Sequence, residues 1–216
     1  MTNEFNMNFA LKLKAEQLIY VLSVLVISFT SCNPLSKITN NNIQTEFITN
    51  NDYLKLNGVY SNSYDTIIGD IKHFPGDGLN NFQRITILYQ LFWYNYPETA
   101  WRDENNQMIN PKEKWIKIEL QSKKHGIISM YHNDKCVFSK NIHGKFKNGY
   151  FYLRPKNYVI PLFPLLFGYN FERARLGKTI ENNLVIDYAV NRWGYALVAG
   201  SEDKGVATSV FKTRDK

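Results

Sequence analysis

Cysteine and histidine are the side chains of this 216-residue chain best suited to chemistry, and there are two cysteines and four histidines. Their spacing decides what they can do. His73, His125, His132 and His143 form no histidine pair at i, i+2 or i, i+4, whereas a zinc site announces itself by such spacing. They read as turn histidines, solvated or hydrogen-bonded, and no metal is expected. The glycines of Phe74-Pro75-Gly76-Asp77-Gly78 lack the spacing and the following lysine of a phosphate-binding loop. No Gly-x-Ser-x-Gly elbow is present, and Asp103-Glu104 and Ser201-Glu202-Asp203 read as solvated loop acids. These residues predict no catalytic site, no cofactor and no enzymatic turnover. Cys136, in the apolar run Cys136-Val137-Phe138, reads as an inert, partly buried thiol. That leaves Cys32, whose chemistry is set by what precedes it.

Leu18 to Phe29 is an apolar block broken only by Ser23 and Ser28, with Lys12 and Lys14 before it and Thr30-Ser31-Cys32 after it. A helix that crosses a hydrocarbon core of about 30 Å needs roughly 20 residues, so the block is too short for a span and suits a secretory leader. The quartet Phe29-Thr30-Ser31-Cys32 resembles the bacterial lipobox, with Phe29 departing from its usual aliphatic first position. The resemblance implies a diacylglyceryl group on the Cys32 sulfur, cleavage before Cys32, and acylation, palmitate being a typical chain, of the new amino group. Residues 1–31 are then the signal peptide, forming the N-terminal signal helix, and either Met1 or Met7 serves as the start. Each buried methylene contributes about 0.8 kcal/mol, so two or three chains make a lasting anchor.

Removing 31 residues leaves 185, enough for one domain with a real core. The leader takes two lysines and two glutamates, so the mature part keeps 24 basic and 17 acidic side chains, and the net charge stays at +7. That balance favours anionic neighbours such as lipid headgroups or other acidic surface polymers. No nucleic-acid motif accompanies it, and no nucleic-acid partner is expected. With Cys32 lipidated, Cys136 has no intrachain partner, so no disulfide is expected. Residues 32–52, rich in Asn and Thr without sustained periodicity, read as a flexible tether.

The domain is expected over 53–216. Leu56, Gly58 and Tyr60 share one side of an extended strand. Residues 81–94 fit either a strand or a helix, and the stripe Phe82, Ile85, Leu88 and Phe92 favours a short helix plugging one end of a barrel. Ile116, Ile118 and Leu120 alternate with Lys117, Glu119 and Gln121, the period of a half-buried strand. Segments 125–132, 134–139, 144–146 and 149–154 follow at short intervals, divided by Asn133-Asp134 and Asn148-Gly149, which suit tight hairpins. Residues 158–169 break the rhythm with Pro161 and Pro164, and strands resume over 170–176, 184–189, 195–199 and 206–213.

Such a count points to a mainly β chain: an antiparallel up-and-down barrel of about eight or nine strands. A sandwich and a looser α+β domain are the alternatives. Gly58-Val59-Tyr60 resembles the Gly-x-Trp of lipocalins, with Tyr for Trp. Phe211-Lys212-Thr213-Arg214 offers a cation where that family packs an arginine across the first-strand aromatic. The layout from Tyr53 to Arg214 is similar to the lipocalin-like (calycin-type) lipoproteins of Bacteroidetes. The resemblance implies a lipid-anchored protein of the cell envelope, and the absence of an acidic run behind Cys32 favours the periplasmic face of the outer membrane.

Small barrels enclose one apolar ligand and fix its head with a few polar groups. Alternation puts Tyr169, Phe171, Arg173 and Arg175 on one strand face, opposite Glu172, Ala174 and Leu176. Were the first face inward, Arg173 or Arg175 would hold a carboxylate or phosphate, with Phe171 and Tyr60 lining the site. The alternative is an outward basic and aromatic face. Ile160, Leu162, Phe163, Leu165, Leu166 and Phe167 form an apolar segment that either folds back as a lid or contacts a partner or a ligand portal. Two functions follow: binding of a small apolar or amphiphilic ligand, or docking on another envelope protein through 160–167.

Overall fold

The computed structural model describes residues 43–72, 87, 91, 110–162, 166–196 and 199–214. Ten strands form one antiparallel sheet. They are β1 (Gly58–Ser61), β2 (Thr66–Lys72), β3 (Lys114–Leu120), β4 (His125–His132), β5 (Lys135–Lys147), β6 (Tyr150–Leu153), β7 (Lys156–Leu162), β8 (Leu166–Lys178), β9 (Leu184–Ala196) and β10 (Ala199–Phe211). The order is β1-β3-β4-β5-β6-β8-β9-β10-β2, with β7 paired to β8. The sheet is strongly curled, a half-barrel. Near its two ends, Ser61 N–H donates to the Lys212 carbonyl and Arg214 N–H to the Val59 carbonyl, both at 2.9 Å. Tyr60 thus bridges Thr213 as well as pairing with Ile116.

Chain chemistry explains the strand count. Arg154 and Pro155 interrupt what would be one strand into β6 and β7, which share one edge of β8. Pro161 lies in β7, which pairs only with β8, an edge position where a missing N–H does no harm. Segments 134–139 and 144–146, expected as separate strands, form the single β5. Of residues 195–199, also expected as a strand, Tyr195 and Ala196 end β9 and Ala199 begins β10. The hairpin turns are as their residues dictate, with positive φ at Asn133, Asp134, Asn148 and Gly149. The 81–94 segment lies outside the described residues except for Ile87 and Leu91, both buried in the core. Residues 1–42 also lie outside them.

Alternation along β3 buries Lys114, Ile116, Ile118 and Leu120. The register carries that inner face around the sheet to Ile128 and Met130, Ile142, Phe146, Phe151, Leu176, Ile186, Tyr188 and Phe211. One end is stopped by the 3-10 turn Tyr53–Leu56, whose Leu56 is fully buried. Residues 43–52 differ from the expected free tether. Thr45 bridges Thr179, Glu46 N–H donates to the Lys178 carbonyl, and Ile48 is buried in the core. An apolar side chain at position 48 gains more from burial than the backbone loses in freedom.

Candidate functional site

The inner face changes character along its length. Toward the Tyr53–Leu56 turn it is mostly apolar, with Leu56, Leu120, Phe146, Phe151, Leu176 and Phe211, and Lys178 is the buried cation at that end. The opposite half carries polar side chains on the same face. On β8, Asn170 and Glu172 continue the inward series that Ala174 and Leu176 begin. On β9, Arg192 continues the series Ile186, Tyr188 and Val190, and the register sets it opposite Asn170, while Lys156 of β7 lies opposite Glu172.

These four side chains form one network. Arg192 Nη2 donates to Glu172 Oε1 at 2.7 Å and Arg192 Nε to Asn170 Oδ1 at 3.1 Å. Asn170 Nδ2 also donates to Glu172 Oε1, at 2.9 Å, and Lys156 Nζ lies 3.6 Å from Glu172 Oε2. Lys156 Nζ donates further to the Leu91 carbonyl at 3.1 Å. Burial pulls the Lys156 ammonium below its ordinary range; Glu172 opposes that shift, while Lys140 and Arg192 reinforce it. Lys156 and Arg192 thus converge on one carboxylate that is itself buried. In that setting charge-assisted hydrogen bonds to an added anion are strong.

A second polar group occupies the same half. Asn62 is fully buried, its Nδ2 3.9 Å from the Met130 sulfur, and its Oδ1 has no hydrogen-bond partner. His132 Nδ1 is likewise unpartnered, and the register places His132 opposite Lys114. Lys114 is 1% exposed, and burial pulls its ammonium down to about 8 against the small opposing influence of Glu113.

The sequence-predicted ligand face lies on the other side of the sheet. Arg175 Nε donates to Asp187 Oδ2 at 2.5 Å and Nη1 to the Tyr152 hydroxyl at 3.2 Å, and its guanidinium sits 4.1 Å from the Tyr150 ring centre. Asp187 also accepts from Thr208 Oγ1 at 2.6 Å. Arg175 is thus committed to neighbours on the outer face. Phe171 packs against Tyr169, which stacks on Trp193, and Arg173 shares their side. Tyr60 does point inward, but it fills the core: its ring is fully buried and its hydroxyl donates to the Leu56 carbonyl at 2.9 Å. Burial raises the phenol above its ordinary range. The cation over the Tyr60 ring is Lys178, with Nζ 5.9 Å from the ring centre, and Arg214 lies over Trp115 instead.

Cys32 lies outside the described residues, as do Phe163 and Leu165. For Ile160, Leu162, Leu166 and Phe167 the structure describes the backbone, in β7 and β8. Cys136, expected to be partly buried, is exposed just after the Asn133-Asp134 turn. Sequence spacing missed one histidine pair: strand register sets His125 opposite His143, with Nδ1 atoms 2.8 Å apart. Among the described residues no group of three potential metal ligands occurs. Comparison with known proteins finds no matching family model, no matching curated protein and no matching solved structure.

Proposed function

We propose that this chain is a lipid-anchored protein of the cell envelope whose curled sheet makes a lipocalin-like barrel and binds a small amphiphilic molecule without turnover. The observation that carries the reading is the polarity gradient of the inner face. Apolar side chains crowd the half stopped by the Tyr53–Leu56 turn, and Lys156, Arg192, Asn170 and Glu172 gather in the other half. An amphiphile would set its anionic head at Arg192 and Lys156, the partly exposed end of the inner face. Asn62 Oδ1 would accept a hydrogen bond from a head that also carries hydroxyls, and His132 Nδ1, whose ring partner Nε2 accepts from Asn133 Nδ2, would donate one. The leader ending at Cys32 supports the outer membrane as the address and diacylglyceryl plus acyl chains as the anchor. The periplasmic face is the side proposed.

Mass spectrometry of lipids extracted from the purified full chain, followed by titration with a dansyl-labelled fatty acid, tests the reading. The expected result is a co-purifying amphiphile and saturable binding that weakens about tenfold or more in Arg192→Gln, because one charge-assisted contact is lost. Absence of both co-purified lipid and saturable binding in the unaltered chain overturns it.

A further inference from the structure

The charge of this protein is not spread evenly. Residues 121–154 hold seven Lys and Arg and a single Asp, leaving nineteen basic and eighteen acidic side chains for everything else. Nearly the whole net charge of +7 therefore belongs to β4, β5, β6 and their turns.

Strand register gathers five of these cations on one exposed surface. The turn before β4 brings Lys123 and Lys124 against β5, since Gly144 N–H donates to the Lys124 carbonyl and Phe146 N–H to the Lys123 carbonyl, both at 2.9 Å. Lys145 and Lys147 leave β5 on its outer side, opposite Tyr152 and Tyr150. Arg154 joins them because its N–H donates to the His143 carbonyl at 2.8 Å. All five are exposed, and no ion pair among the described residues uses them. The exposed His125 and His143 lie between Lys124 and Lys145.

Apolar and aromatic groups border the cations. Phe47, 74% exposed, lies beside Gly149 of the β5–β6 turn, and the Tyr150 hydroxyl donates to Thr45 Oγ1 at 3.3 Å. A phenyl ring held in water next to lysines and tyrosines matches the layered chemistry of a bilayer surface, with anionic headgroups outside and hydrocarbon beneath. Thr45 follows Cys32 by thirteen residues, a reach of at most about 45 Å. On the proposed anchoring at Cys32, this face borders the segment by which the chain from the membrane reaches the sheet.

We propose that the surface formed by Lys123, Lys124, Lys145, Lys147 and Arg154, with Phe47 and Tyr150 at its edge, docks on the anionic headgroups of a lipid bilayer. Attraction of this kind acts within a Debye length and yields to salt. Docking would fix the orientation of the sheet over the membrane, which a chain anchor alone does not.

Lysine footprinting of the full chain tests this whether or not Cys32 is acylated. The protein is mixed with vesicles of phosphatidylcholine, or of phosphatidylcholine with about one third phosphatidylglycerol, acetylated with an amine-reactive reagent, and mapped by mass spectrometry. The expected result is that Lys123, Lys124, Lys145 and Lys147 react severalfold more slowly on the anionic vesicles only, and that 0.5 M salt restores them, while the exposed Lys112 and Lys204 stay unchanged. Equal reactivity of the four lysines on both kinds of vesicle, or equal protection of Lys112 and Lys204, overturns the proposal.

Discussion

Glu172 and Arg192 meet diagonally across β8 and β9 inside the curled sheet, Oε1 to Nη2 at 2.7 Å, with Glu172 5% exposed. Glu172 is in contact with Lys156 as well as Arg192. Removing one member of a buried ion pair costs more than removing both, because the survivor stays charged and unpaired.

Glu172→Gln is therefore expected to lower stability by about 3 kcal/mol. Replacing Glu172 and Arg192 together by leucines should cost clearly less than the sum of the two single changes. Urea unfolding of the three variants checks this. Additive losses would mean that the two side chains are stabilised independently.

Lys114 gives the molecule a pH dependence of known sign. Burial holds its ammonium at about 8, below the ordinary 10.5. Below pH 8 it is charged in both folded and unfolded chains, so its contribution there does not change with pH. Between about 8 and 10.5 the unfolded chain binds more protons, so stability from this group rises with pH. Lys114→Met should raise the melting temperature at pH 7 and flatten the rise between pH 8 and 10. Parallel stability curves for the two proteins would remove Lys114 as the cause.

Much of the sheet was legible in the sequence, and the reasons are local. Ile116, Ile118 and Leu120 alternate because one face of β3 is wet, and Asn148-Gly149 turns because both residues take positive φ. β2 was missed: among the described residues Thr66–Lys72 pairs with β10, far away in the chain, and its exposed Ile67 gives no clean alternation. Alternation on β8 left open which face points inward, and the pairing of Leu176 with the core turns Arg173 and Arg175 outward and Glu172 inward. Arg192 could have been found by extending the series Ile186, Tyr188, Val190 by one more inward position. Lys156 could not, because Arg154-Pro155 interrupts the strand and hides its phase. The His125–His143 contact depends on the β4–β5 register, which residue spacing along the chain does not encode.

The proposed lipid anchor is tested at Cys32. Cys32→Ala is expected to leave unprocessed precursor and to abolish labelling by radioactive palmitate, since on that proposal the Cys32 thiol takes the diacylglyceryl group. Undiminished labelling would place the lipid elsewhere.

Arg175 and Asp187 share the outer face with Tyr152 and Thr208, and their hydrogen bonds satisfy both carboxylate oxygens. Asp187→Asn keeps the shape but removes the charge that Arg175 faces, so a loss of about 2 to 3 kcal/mol is expected. Thr208→Val removes one donor and should cost about 1 kcal/mol. An Asp187→Asn loss no larger than that of Thr208→Val would mean that solvent screens Arg175 more than its 14% exposure implies.

Gly69 shows how β2 is fitted to β10. Its φ is +97°, and a Cβ there would lie 2.4 Å from the Val206 carbonyl oxygen, a backbone atom that cannot move aside without breaking the pairing. Gly69→Ala would add both the strain of a left-handed backbone and that collision. The expected cost is about 2 kcal/mol or more, with faster hydrogen exchange concentrated in β2 and the facing part of β10. Exchange that speeds up equally in β3 and β4 would show that β2 is coupled to the whole sheet. A cost under about 0.5 kcal/mol would mean that β2 can leave β10 without consequence, as an edge strand held by few side chains can.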